Sequence, residues 1–149
     1  MLRRNLGCSD SHCKGFTNVD LVPPADVIAD LNKQWPWESD SVERIRGWDV
    51  IEHLQDKSFT MNEVWRVLIP GGLLDIVVPT TDGRGAWQDP THVSYWNRNS
   101  FFYYTADDPH RERFGEAYGI TARFEVVSEV QSVMADSVVK LSILLKAVK

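Results

Sequence analysis

The sequence predicts a single α/β domain over residues 1–149, with a doubly wound, mostly parallel sheet that closes in a C-terminal antiparallel hairpin. Three observations predict it. The small-residue turn Leu6-Gly7-Cys8-Ser9-Asp10 is followed, one short strand later, by Asn18-Val19-Asp20-Leu21, which ends on a carboxylate. The amphipathic segment Asp56 to Leu68 leads through Pro70-Gly71-Gly72 into the apolar run Leu73 to Val78. Two long alternating runs, Arg123 to Val133 and Val138 to Val148, close the chain around Ala135-Asp136-Ser137.

Size and composition agree with this class. A chain of 149 residues forms one domain that buries roughly 68–70% of its unfolded surface. Its 43% hydrophobic and 25% charged residues are those of an ordinary globular protein. A net charge of −5 argues against nucleic acid, because broad phosphate binding needs a basic face. No run of about 18 apolar residues appears, so no membrane span is expected, and Met1 to Arg4 lead into no signal-peptide core. The expected location is cytoplasmic.

Taken in order, Leu2 to Cys8 is a strand by context, since Arg3, Arg4 and Asn5 interrupt its hydrophobicity. Only Ser9 to Gly15 separate it from the strand Phe16 to Asp20, whereas parallel neighbours normally need a crossover of a dozen or more residues. The first crossover is therefore abbreviated, or the two strands are not simple parallel neighbours. Asp26 to Leu31 reads as a short buried strand bearing a second carboxylate, Asp30. Trp35-Pro36-Trp37 forces an irregular connection, because the residue before a proline is pushed out of the helical region.

Ser41 to Ile51 is the next strand, although Glu43, Arg44 and Arg46 are awkward inside a sheet. In Asp56 to Leu68, Met61, Val64, Trp65 and Leu68 recur at helical spacing, and the Pro-Gly-Gly stops the helix. The strand that follows completes a right-handed strand, helix, strand unit. Residues 80–104 carry Trp87, Tyr95, Trp96, Phe101, Phe102, Tyr103 and Tyr104 with little periodicity before a short helix capped by Asn99. Such a stretch is an aromatic-rich substrate loop or lid, or a flap over the sheet edge. Asp107 to Gly119 is polar and exposed.

Cys8, His12 and Cys13 match no standard zinc spacing and lack a fourth ligand, so no metal is expected there. Two cysteines five positions apart make no disulfide framework.

The order of Leu6-Gly7-Cys8, Asn18-Val19-Asp20, Asp30-Leu31, Asp49-Val50-Ile51-Glu52-His53-Leu54 and Glu63 to Gly72 resembles the class I S-adenosylmethionine-dependent methyltransferases. The motifs span residues 2 to 79, and Arg66 to Leu73 is the most specific block. The chain looks like the small, Rossmann-like type in which the helix after the first strand is reduced to a loop. The resemblance implies S-adenosyl-L-methionine as cofactor. Gly7, Cys8 and Ser9 would lie beneath its methionine part; Asp20 would bind the ribose hydroxyls, with Leu21 on the adenine. Asp30 and Leu31 would line the adenine, and Asp49 and Val50 would face the sulfonium.

Two features depart from the family. Ser9 stands where glycine is usual, and only Met1 precedes Leu2, so the usual N-terminal helix is lacking. Either a second copy of the chain or a partner subunit covers the bare sheet face, the exposed face is tolerated, or the sequence is a truncated form.

The expected reaction is methyl transfer to a small-molecule or glycan-type acceptor. Candidate catalytic residues are His92 and Asp89 in Asp89-Pro90-Thr91-His92; a histidine that merely ties the loop down is the alternative. Glu52 and His53 read as a structural turn. The loop aromatics would wall an apolar acceptor site or belong to the core. The rival reading is a non-catalytic methyltransferase-like subunit that pairs with a partner chain. A nicotinamide-dependent oxidoreductase is disfavoured, because Gly7 to His12 supply no Gly-x-Gly-x-x-Gly turn.

Overall fold

The computed structural model describes all 149 residues. Seven strands form one sheet: β1 (Leu2–Leu6), β2 (Thr17–Asp20), β3 (Val27–Ile28), β4 (Val42–Trp48), β5 (Leu68–Pro79), β6 (Phe124–Val133) and β7 (Val139–Ala147). Their spatial order is β3-β2-β1-β4-β5-β7-β6, and only the β5–β7 and β7–β6 pairings are antiparallel. Strand order reverses between β1 and β4, which places a crevice at their carboxyl ends.

The polar residues that make β1 a poor strand on paper find partners on β2 and in the following loop, although Arg4 Nε is buried with none. Arg4 Nη1 donates to Thr17 Oγ1 at 2.6 Å, and Asn5 Nδ2 donates to Asn18 Oδ1 at 2.9 Å and to the Ser11 carbonyl at 3.0 Å. These bonds tie β1 to β2 as parallel neighbours despite the loop of 7–16 between them. The abbreviated crossover is thus real. The third strand is shorter than expected, two residues, and Asp30 and Leu31 lie beyond it.

Helix α1 (Lys57–Val67) starts where the Asp56 side chain accepts from the Phe59 N–H at 2.9 Å. It ends one residue before the predicted Leu68, and Pro70-Gly71-Gly72 does not stop it. Instead the residue before Pro70 is barred from the helical region, Leu68 is already extended, and β5 begins there. Between Leu68 and Leu73 the register against β4 slips, so the Pro-Gly-Gly is a bulge within β5.

Val42, Ile45, Leu74, Ile76, Leu141, Ile143 and Leu145 point to one face and join Met61, Val64 and Val67 of α1 in the main core. The alternating residues Arg44, Arg46, Asp75, Val77 and Leu144 stay part-exposed, so the helical layer covers one face. The expected α/β class, a mostly parallel sheet closing in an antiparallel hairpin, takes the form of a seven-stranded mixed sheet with few helices. The charges of β4 lie on the open face: Arg44 pairs with Asp75 at 3.1 Å and Arg46 stacks on Trp48 at 3.7 Å.

Trp35 is buried and held by a polar clasp. Glu63 accepts from the Trp35 N–H at 2.8 Å and from Arg66 at 2.7 and 2.8 Å, while Arg66 donates to the Trp35 and Trp37 carbonyls. The Arg66 hydrogen bonds are the first cause that holds the Glu63 carboxyl below its ordinary range. The folded chain therefore stays ionised there to lower pH than the unfolded chain. Its contribution is present above about pH 4.3 and is lost as pH falls through the folded value. Glu63→Gln should lower stability at pH 7 by about 2 kcal/mol and flatten the acid limb, read from urea midpoints between pH 3 and 7.

Residues 80–104 divide in two. Trp96, Phe101 and Tyr104 are core, whereas Trp87 and Tyr95 stack on each other at 4.6 Å on the surface. A short helix α2 (Gly85–Gln88) and a tight 3₁₀ turn (Arg98–Tyr104) lie within the stretch. The cap of that turn is Asn97, not Asn99: its side chain accepts from the Asn99 and Ser100 N–H groups. Helix α3 (Pro109–Phe114) follows, and none of its residues is buried. No helix is long and apolar enough to cross a membrane.

Candidate functional site

The crevice at the carboxyl ends of β1, β2 and β4 holds a cavity of about 440 Å³. Gly7, Asp20, Leu21, Asp30, Leu31, Asp49 and Val50 all line it, so seven of the nine predicted cofactor residues come together. Cys8 and Ser9 do not. They line an adjoining depression that shares Gly7 and Asp49 with the cavity and includes Arg46 and Trp48, and Cys8 is buried, which is the main reason its thiol is pushed up. Ser9 acts through its backbone: its N–H donates to Asp20 Oδ2 at 2.9 Å, while the Leu21 N–H donates to Oδ1 at 2.7 Å. The Asp20 carboxylate is therefore held still at the cavity wall, with lone pairs left over for a ligand.

Close approach shapes the floor. Gly7 has φ +60, and a Cβ there would stand 2.5 Å from Val50 Cγ2. Asp49, at φ 52, turns the chain sharply out of β4, and both its oxygens accept from Lys140 Nζ at 2.7–2.8 Å. Asp30 accepts from the Asn32 N–H at 3.0 Å, the first cause that keeps its carboxyl below the usual range. Carboxylates at Asp20 and Asp30, an apolar wall of Ala29, Leu31, Val50 and Leu54, and a glycine floor suit a nucleoside bearing a cationic tail.

A second, polar pocket of about 220 Å³ adjoins the first and shares Asp49 and His53 with it. It contains both predicted catalytic residues, His92 and Asp89, together with Glu52, Gln88 and Lys140. None of the loop aromatics lines either cavity; Trp96, Phe101 and Tyr104 belong to the core instead. Asp89 accepts from the Thr91 hydroxyl at 2.7 Å, the first cause that holds it below the usual carboxylate range. His92 is tied by Nδ1 to the Ala86 carbonyl at 3.1 Å, and its side chain is 7% exposed.

The residue that sequence reasoning underrated is Glu52. Its side chain is 2% exposed, burial pushes its carboxyl up to about 7, and Oε2 has no hydrogen-bond partner. Its backbone carbonyl accepts from the Val93 and Ser94 N–H groups, which docks the loop carrying His92 onto the turn Ile51–His53. An acidic residue just after a strand looks solvated until the loop is folded over it.

A scan of protein families and a search of curated proteins find no match to this sequence. Solved structures do match. A S-adenosylmethionine-dependent methyltransferase from Methanosarcina mazei superposes with TM-score 0.67 at 12% identity, covering 98% of this chain and 92% of that one. A chain of the Haloferax volcanii complex that contains the Trm112 methyltransferase activator superposes at 0.63 with 15% identity, covering 99% and 83%. The [4+2]-cyclase SpnF is similar at 0.64 with 10% identity, covering 98% and 74%. The chain has the fold of the class I S-adenosylmethionine-dependent methyltransferases.

Proposed function

We propose that this chain binds S-adenosyl-L-methionine in the larger cavity and transfers its methyl group to a small-molecule or glycan-type acceptor in the polar pocket. The observation that carries the reading is the shared wall: Asp49 and His53 belong to both cavities, so a group bound in one faces a group bound in the other. Bound there, the cofactor supplies a methyl group already activated by its sulfonium. Asp20 holds the ribose hydroxyls, Leu21, Asp30 and Leu31 flank the adenine, and Gly7, Val50 and Asp49 face the methionine end. Methyl transfer then needs alignment and exclusion of water more than covalent help. Neighbours as different as a methyltransferase and a cyclase share this fold, so the site and not the fold carries the proposal.

The test is thermal unfolding with S-adenosylmethionine, with S-adenosylhomocysteine, and with NAD as control. A ligand at 100 times its dissociation constant adds about 2.7 kcal/mol of stability. A higher midpoint with both sulfur compounds and none with NAD is the expected result; equal midpoints throughout would remove the cofactor assignment. His92→Ala should keep that shift and lose turnover. A non-catalytic subunit paired with another chain is the second reading, favoured by the part-exposed sheet face around Arg44, Arg46 and Asp75.

A further inference from the structure

We infer that Glu52, His53 and His92 form a binding site for one divalent transition-metal ion of the zinc class at the floor of the polar pocket. One ligand atom from each of the three side chains lies within 4.8 Å of the other two. The three do not satisfy each other. His92 Nε2 stands 4.0 Å from Glu52 Oε1, beyond hydrogen-bond length, and Glu52 Oε2 is buried with no partner at all. Leaving a buried carboxyl oxygen unpaired costs about 1–3 kcal/mol or more, so the vicinity has a use for it.

The hydrogen bonds around the cluster have the form that metal sites need. His92 Nδ1 is bonded to the Ala86 carbonyl at 3.1 Å, and His53 Nδ1 faces the Thr91 carbonyl at 3.2 Å. A carbonyl only accepts, and the Thr91 hydroxyl 3.1 Å from His53 Nδ1 gives its proton to Asp89, so each Nδ1 carries the proton and each Nε2 keeps a free lone pair. Backbone carbonyls that set the tautomer and the ring plane are the usual outer shell of ligating histidines. Two imidazoles with one carboxylate, facing an open pocket, match three protein ligands plus exchangeable positions. Imidazole donors favour zinc-class ions over magnesium. Asp89, with Oδ2 3.8 Å from His92 Nε2, supplies a further negative charge at the rim.

The ligand that completes the shell is an oxygen donor, water or an acceptor hydroxyl; the acceptor half of that statement rests on the methyl-transfer reading, whereas the metal does not.

The experiment titrates the full-length chain, stripped with EDTA, with Zn²⁺, Mn²⁺ and Mg²⁺ in a calorimeter, and repeats it with Co²⁺ by visible absorption. One equivalent of Zn²⁺, weaker Mg²⁺, and a cobalt spectrum without a thiolate charge-transfer band are expected. Glu52→Gln, His53→Ala and His92→Ala should each weaken Zn²⁺ at least 100-fold, while Cys8→Ser and Cys13→Ser leave it unchanged. Glu52→Gln, being isosteric, should keep the unfolding midpoint of the metal-free chain, which separates a lost ligand from a lost fold. No stoichiometric Zn²⁺, or binding that survives Glu52→Gln and vanishes with Cys8→Ser, overturns the site. A retained S-adenosylmethionine shift without metal binding would sink the metal site alone, and the reverse would sink the cofactor reading alone.

Discussion

Asp20→Ala is expected to weaken S-adenosylmethionine binding by about 100-fold or more while leaving the fold in place. A carboxylate that accepts from two ribose hydroxyls makes two charge-assisted hydrogen bonds, each worth about 1.5–3 kcal/mol, and even the lower figure for both comes to more than a factor of 100. The side chain is already aimed, because the Ser9 and Leu21 N–H groups hold its two oxygens. Little reorganisation is needed on binding. Both of those bonds lie at the surface, so water replaces them when the carboxylate is removed. The unfolding midpoint of the free chain should shift by about 1 kcal/mol or less. Asp20→Asn is the sharper probe: its remaining oxygen can still accept from Ser9, and one ribose hydroxyl loses its acceptor. Calorimetry should place it between wild type and Asp20→Ala. Normal affinity in Asp20→Ala would mean that the register of the whole cavity is wrong.

What could be read from the sequence, and what could not, follows from the range of the interactions involved. The β1 turn, the β2 carboxylate and α1 are local patterns, and all three stand where spacing puts them. The terminal hairpin was equally legible, because alternation over Phe124 to Val133 and Val139 to Ala147 is itself the signal. The boundary at Leu68 was not, since proline and glycine can end a helix or bulge a strand, and only pairing with β4 decides between them. Asn97 displaced Asn99 as cap for a similar reason: both are good caps, and the capping box with Ser100 settles it. The part Ser9 plays was not legible either, because it acts through its backbone N–H on Asp20, which no side-chain pattern reveals. Glu52 was hidden for a tertiary reason. Its burial is produced by Val93 and Ser94, some forty residues later, bonding to its carbonyl.

Gly7→Ala should be strongly damaging, and its cost should split into two measurable parts. At φ +60 an alanine pays about 1–2 kcal/mol for the left-handed backbone. The added Cβ also meets Val50 Cγ2 at 2.5 Å and Cβ at 2.7 Å, and Val50 is buried, so overpacking adds about 1–3 kcal/mol. A total near 3–4 kcal/mol is expected from urea unfolding, with S-adenosylmethionine binding lost because Gly7 and Val50 are both cavity wall. The pair Gly7→Ala and Val50→Ala separates the two causes. Truncating Val50 removes the collision and leaves the backbone strain, so the double variant should be more stable than the sum of the single effects by about 1–3 kcal/mol. Simple additivity would mean that the loop has moved away from Val50, and that the close approach of β1 and β4 does not shape the cavity floor.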